Sequence, residues 1–184
     1  MKKQINGNTL ELITGDITEQ ETEAIVNAAN GTLLGGTGVD GAIHRAAGKE
    51  LLEECKKIRE QELKGEELQV GEVVMTKGYQ LPATFVIHTV GPVWQEDSDQ
   101  QKTLLANCYH KSLQIAAHQG LQSIPFPSIS TGVYGYPIEE ASQIALTTVI
   151  DYLSKNTFGE VVFTLFSEED DQVYTNTLER LLIK

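Results

Sequence analysis

The chain has 184 residues, 40% of them hydrophobic and 22% charged, and a formal net charge of −12. That length and composition suit one globular domain spanning 1–184 and exclude a disordered or fibrous chain. So acidic a surface repels nucleic-acid backbones and anionic lipid, which removes both as expected partners.

No stretch approaches the roughly 18 consecutive apolar residues of a membrane span, and the N-terminus carries no signal-peptide run. Cys55 and Cys108 stand at apolar positions without a CxxC or CxxH neighbour, so they read as buried free thiols rather than metal ligands. A cytoplasmic, reducing location is expected.

Taken in order, an apolar run at 9–14 reads as a strand that leaves through Gly15, Asp16 and Ile17 into a short helix over 17–23. A second strand at 24–28 exits through Asn27-Ala28-Ala29-Asn30. Next comes the glycine-rich stretch Gly35-Gly36-Thr37-Gly38-Val39-Asp40-Gly41, then a helix over 40–60. In that helix Ile43, Ala47, Leu51, Cys55 and Ile58 recur at three and four, and Gly48 should break or bend it. The charged segment 60–70 reads as a solvated loop or frayed helix end. Strands follow at 72–76 and 84–90, then a polar surface connection at 95–101. A helix over 102–119 stops at Gly120. A strand at 123–126 precedes the stretch 128–137, and Pro137 with Glu139 and Glu140 opens a helix over 138–153. A strand at 161–166 and a helix over 170–182 complete the pattern.

Runs such as Phe85-Val86-Ile87 and Val161-Val162-Phe163 are apolar without alternation, as in strands covered on both faces. Strands alternating with helices therefore predict a three-layer α/β domain. In such sheets ligands sit where strands give way to loops.

Four exits are small and polar: Gly15 to Ile17, Asn27 to Asn30, Ser128 to Tyr136, and Ser167 to Glu169. Gly36 to Gly41 spells a literal GxGxxG, but the preceding strand ends near Ala28, too far upstream for a dinucleotide-binding turn. Glycines here would make either an ordinary connector or a loop that brings backbone N–H groups to a phosphate. In a chain so acidic, N–H groups rather than lysines suit an anionic ligand.

Asp40 reads as a helix cap and as a candidate general base. Ser128 to Pro137 offers hydroxyls and approachable N–H groups. Asp16 reads as a cap and as an acceptor for the adenine amino group, with an adjacent N–H for the ring nitrogen. Asn27 and Asn30 are turn residues that can also bond ribose hydroxyls or orient a water. His44 and His88 share no spacing and read as structural or supporting.

Together these blocks resemble the macrodomain family. They are Gly15-Asp16-Ile17, Val26 to Asn30, Gly35 to Gly48, His88 to Trp94, and Ile129 to Pro137, in that order and across almost the whole chain. The resemblance is strongest to the MacroD-type, which includes bacterial O-acetyl-ADP-ribose deacetylases. It implies a three-layer α/β/α fold around a central mixed, mostly parallel sheet, six-stranded on the runs counted above.

By position, the resemblance implies that Asp16 and Ile17 hold adenine, with Phe166 flanking it. Asn30 holds the distal ribose, and Asn27 counts among the ligand-binding residues. Gly38, Val39 and Asp40 form the first diphosphate loop. Ser130, Thr131, Gly132, Val133 and Tyr134 form the second, with Tyr134 over the distal ribose.

The expected ligands are ADP-ribose and its O-acyl or protein-linked esters, and no metal or cofactor is expected. The implied reaction is hydrolysis of an ester at the distal ribose, with Asp40 and Asn30 as the catalytic residues. Either Asp40 or a substrate phosphate takes the proton from water. The rival readings are a non-catalytic ADP-ribose reader, which would not need an acid facing the ribose, and a nicotinamide-dependent oxidoreductase resting on GxGxxG alone. One departure stands out: Thr37 interrupts what is usually an unbroken glycine run. A left-handed backbone there would be strained; otherwise its hydroxyl lines the mouth.

Overall fold

The structure is a computed structural model that describes residues 1–96 and 98–183. Lys2–Ile5 (β1) pairs antiparallel with Asn8–Thr14 (β2) across a tight turn. Asn6 and Gly7 both take left-handed φ there, 52° and 81°, the twist a two-residue hairpin needs. β2 pairs in parallel with Glu160–Leu165 (β7), and β7 with Ser123–Phe126 (β6).

A second ladder joins Ala24–Ala28 (β3) in parallel to Phe85–Thr89 (β5), and β5 antiparallel to Val73–Lys77 (β4). β3 lies beside β6 and continues the layer. At that seam the Glu23 N–H donates to Ser123 Oγ at 3.2 Å, and the Gln122 N–H to Glu23 Oε1 at 2.9 Å.

The layer is thus mixed and mostly parallel with helices on both faces, as expected, but it is two hydrogen-bonded sheets, of four and three strands, set side by side rather than one continuous sheet. The described residues hold seven strands rather than six. The additional strand is β1, a charged edge strand with no apolar run to betray it.

Gly38–Ala47 (α1) and Lys49–Gln61 (α2) cover one face, where Ile25, Val74 and Val86 meet Ile43, Leu51 and Cys55. Asp99–His118 (α3), Ile138–Lys155 (α4) and Glu168–Leu182 (α5) cover the other, over Leu10, Val26, Ile87, Phe126 and Phe163. Neighbours Val86 and Ile87 therefore serve opposite cores, which is why that strand is apolar at successive positions.

Gly48 does break the long helical pattern; its φ of 91° is left-handed, and its N–H closes α1 on the His44 carbonyl. Both α3 and α5 start earlier than their apolar periodicity suggested. The Ser98 and Ser167 side chains cap them, accepting from the N–H groups of Gln101 and Asp170. The polar connection 95–101 therefore includes the first turn of α3, and Asp97 within it lies outside the described residues. The short helix after β2 is a single 3₁₀ turn, Ile17–Glu19.

Cys55 and Cys108 are free and buried, and burial pushes their thiols up to about 12 and about 11, so both stay protonated. No helix among the described residues is long and apolar enough to cross a membrane.

Candidate functional site

A cleft of about 730 Å³ opens where β2, β6 and β7 end and α1 begins. Of the residues singled out in the sequence, Asp16, Ile17, Gly38, Val39, Thr131, Gly132 and Phe166 line it. Asp16 caps the 3₁₀ turn, its Oδ1 accepting from the Thr18 N–H at 2.9 Å and from the Thr18 hydroxyl at 2.7 Å. Ile17 is buried, whereas Phe166, at the end of the neighbouring strand β7, stands 90% exposed. A ring so placed has an open face to offer a flat ligand.

Thr37, not Asp40, occupies the cap position of α1, and its side chain makes no capping bond. The first N–H groups of α1 are thereby left for a ligand, at the positive end of the helix dipole. Thr37 has φ −103°, so it carries no left-handed strain; Gly35 and Gly38 take the positive φ values, 84° and 60°. Gly36 is constrained differently. A Cβ there would lie 2.6 Å from Asn30 Nδ2 and 3.2 Å from Asp40 Oδ2. Residues 29–37 separate β3 from α1, so the GxGxxG does not follow its strand as a dinucleotide turn requires.

The second loop is pinned from the core. Tyr109 Oη accepts from the Ile129 N–H at 3.0 Å, and Ser128 Oγ lies 2.8 Å from Tyr174 Oη. Ser130 is buried with a left-handed φ of 70°, and its hydroxyl packs against Gly91, where a Cβ would collide with it. A non-glycine residue held in that conformation marks a loop whose shape is imposed. Ser130 is therefore set behind the cleft wall, and Val133 projects into solvent at the loop tip, 87% exposed.

Beside the cleft, Asn27, Asn30, Asp40 and Tyr134 form one cluster. Asp40 is the third residue of α1 and is buried. Its Oδ1 accepts from Asn27 Nδ2 at 2.9 Å and lies 3.5 Å from His44 Nε2; its Oδ2 lies 3.5 Å from Asn30 Nδ2. Asn30 donates to the Gly35 carbonyl at 3.0 Å, and Asn30 Oδ1 accepts from the Tyr134 hydroxyl at 2.9 Å. That last bond joins the two loops. Burial first, then the negative charges of Asp40 and Glu67, pushes the Tyr134 phenol up, so it remains a donor.

The fold brings here His44, which sequence reasoning assigned only a structural or supporting role, and several residues it did not single out. His44 is one turn beyond Asp40 on the same helix face, a spacing that could have linked them. Arg45, Thr164 and Asp170 line the cleft from three elements and share no local signal. Among the described residues no group of three His, Cys, Asp or Glu could hold a metal.

An α/β/α domain with an uncapped helix start, a preformed loop across from it and a buried carboxylate beside them is what the structure shows. That is the macrodomain arrangement. The chain belongs to the Macro domain family, whose model matches residues 26–145.

It is 52% identical over 170 residues to the Macro domain-containing protein CT2219 of Chlorobaculum tepidum, covering 92% of this chain and 95% of the relative. It is 51% identical over 169 residues to the O-acetyl-ADP-ribose deacetylase of Klebsiella pneumoniae, covering 91% and 95%. The Oceanobacillus iheyensis macrodomain, solved with ADP, superposes with a TM-score of 0.97 at 58% identity, covering 99% of this chain and 96% of that one.

Proposed function

We propose that this chain, acting as one domain over 1–184 and in the cytoplasm, binds ADP-ribose and hydrolyses esters at its distal ribose. The substrates are O-acetyl-ADP-ribose, mono-ADP-ribose on acidic side chains, or both. The observation that carries this reading is the buried Asp40 carboxylate near Asn30 and His44, beside the cleft where the Asn30–Tyr134 bond joins the two loops. Two relatives lend support: the Klebsiella pneumoniae protein is named a deacetylase of O-acetyl-ADP-ribose, and the Oceanobacillus iheyensis macrodomain was solved with ADP.

In this reading adenine lies by Asp16 and Ile17 with Phe166 against its face. The diphosphate accepts from N–H groups at the start of α1 and along 130–134. Asn30 and Tyr134 hold the distal ribose. A water oxygen attacks the ester carbonyl carbon, with its proton passing to Asp40 or to a substrate phosphate. The bond to the ribose oxygen then breaks, that oxygen regains a proton, and the carboxylic acid leaves.

A positioned base contributes roughly 10²–10⁴-fold. Asp40→Ala should therefore lose ester hydrolysis by about that factor, while calorimetry shows ADP-ribose still bound. Equal turnover by the variant removes Asp40 from the mechanism. Wild-type binding without turnover of either ester makes the domain a reader of ADP-ribose instead.

A further inference from the structure

A row of buried polar residues crosses the sheet beneath α1 and α2, in a layer otherwise made of Ile25, Val74, Val86, Leu51 and Cys55. Asn27 on β3 stands opposite His88 on β5, and Thr76 follows on β4. The first two are fully buried and Thr76 nearly so. Polar groups in such a layer must be paired, and these are paired in one direction, toward Asp40.

The chain of donors begins at a backbone carbonyl, which can only accept. Thr76 Oγ1 donates its single proton to the Lys77 carbonyl at 3.1 Å. Facing His88 Nε2 at 2.9 Å, the hydroxyl oxygen is then left to accept, the arrangement in which Nε2 carries the ring proton. Burial, with the His44 charge a smaller cause, holds His88 down to about 3, so the ring is neutral and its other nitrogen has a lone pair. Nδ1 accepts from Asn27 Nδ2 at 3.1 Å. The second proton of the same amide goes to Asp40 Oδ1 at 2.9 Å.

The carboxamide oxygen of Asn27 is buried and has no hydrogen-bond partner among the described residues. Nothing on the oxygen side therefore sets which way the amide faces; only the nitrogen side does. With the proton on Nδ1 instead, the carboxamide would turn over and present its oxygen to Asp40, opposing the carboxylate.

We propose that His88, with its tautomer set by Thr76, is a positioning residue that orients the Asn27 carboxamide and through it aligns Asp40 for ester hydrolysis. The inference rests on the hydrolase reading above and adds two residues from strands remote from the cleft.

The test combines ring ¹⁵N NMR of His88 with kinetics on O-acetyl-ADP-ribose and ADP-ribose titrations. In the wild type, the shifts should show the proton on Nε2. Thr76→Val keeps the shape and removes the acceptor; it should mix in the other tautomer and lower kcat about tenfold or more. ADP-ribose affinity should stay within about twofold, because the cleft-lining donors are untouched. Thr76→Ser should restore both kcat and tautomer.

A wild-type ring protonated on Nδ1 overturns the proposal, and so does a Thr76→Val variant with wild-type kcat. A merely structural role would lower the melting temperature of Thr76→Val and leave kcat of the folded enzyme unchanged. Should Thr76→Val fail to fold, Thr76→Ala, which also removes the acceptor, is read by the same kcat and tautomer measurements. A wild type that binds ADP-ribose and hydrolyses no ester removes the hydrolase reading, whereas the tautomer result bears on the alignment independently.

Discussion

Gly36 leaves no room for a side chain between itself and the two groups proposed to act on the ribose. Gly36→Ala would press a methyl group against the Asn30 carboxamide, 2.6 Å from its nitrogen, and toward Asp40. Both neighbours are held by hydrogen bonds and cannot move away freely. A displacement of about 1 Å at such a site costs on the order of 10²-fold in rate. Gly36→Ala should thus lose ester hydrolysis by roughly that factor and lower the melting temperature as well; wild-type kcat/KM would show that Asn30 has no fixed post. Thr37, one residue on, is legible only with backbone angles in hand. Its side chain is tolerated because the left-handed turns fall at Gly35 and Gly38 instead.

At the scale of elements, α1 and α2 are one apolar stripe cut by one glycine. Gly48 takes φ 91°, closes α1 and starts α2, and a Cβ there would lie 3.0 Å from Gln80 Nε2. Gly48→Ala is strained on both counts and should cost at least about 1 kcal/mol in urea unfolding. A neutral or stabilising result would mean the junction can re-form as a continuous helix. The apolar periodicity of α1 and α2 and the break between them were legible because each depends on residues close in sequence. β1 was not, since an edge strand paired on one side needs no apolar run. The early starts of α3 and α5 were marked by Ser98 and Ser167, cap residues that a search for apolar spacing passes over.

For the whole molecule, a charge of −12 surrounds a site proposed to take a dianionic ligand. Backbone N–H groups resolve that opposition: they bind oxygen anions without adding a net charge. Salt screens the long-range repulsion over about 10 Å at 0.1 M and leaves short N–H contacts intact. ADP-ribose affinity by calorimetry should accordingly hold or rise as salt increases from roughly 0.05 to 0.3 M. A tenfold loss over that range would instead point to a cationic clamp, with Arg45 on the cleft wall as its centre.

Much of the molecule was decided locally. The α/β alternation, the exits carrying Asp16, Asn30 and Ser128 to Tyr134, and the glycine loop before Asp40 are contiguous strings whose chemistry and turn preferences act over a few residues. Tertiary structure alone decided what those strings face. The Asn30–Tyr134 bond spans 104 positions, and the row from Thr76 through His88 and Asn27 to Asp40 joins three strands and a helix. Hydrogen bonds between groups so far apart in the chain exist only because sheet register and helix packing bring them to 2.9–3.1 Å, and no spacing in the sequence encodes that approach.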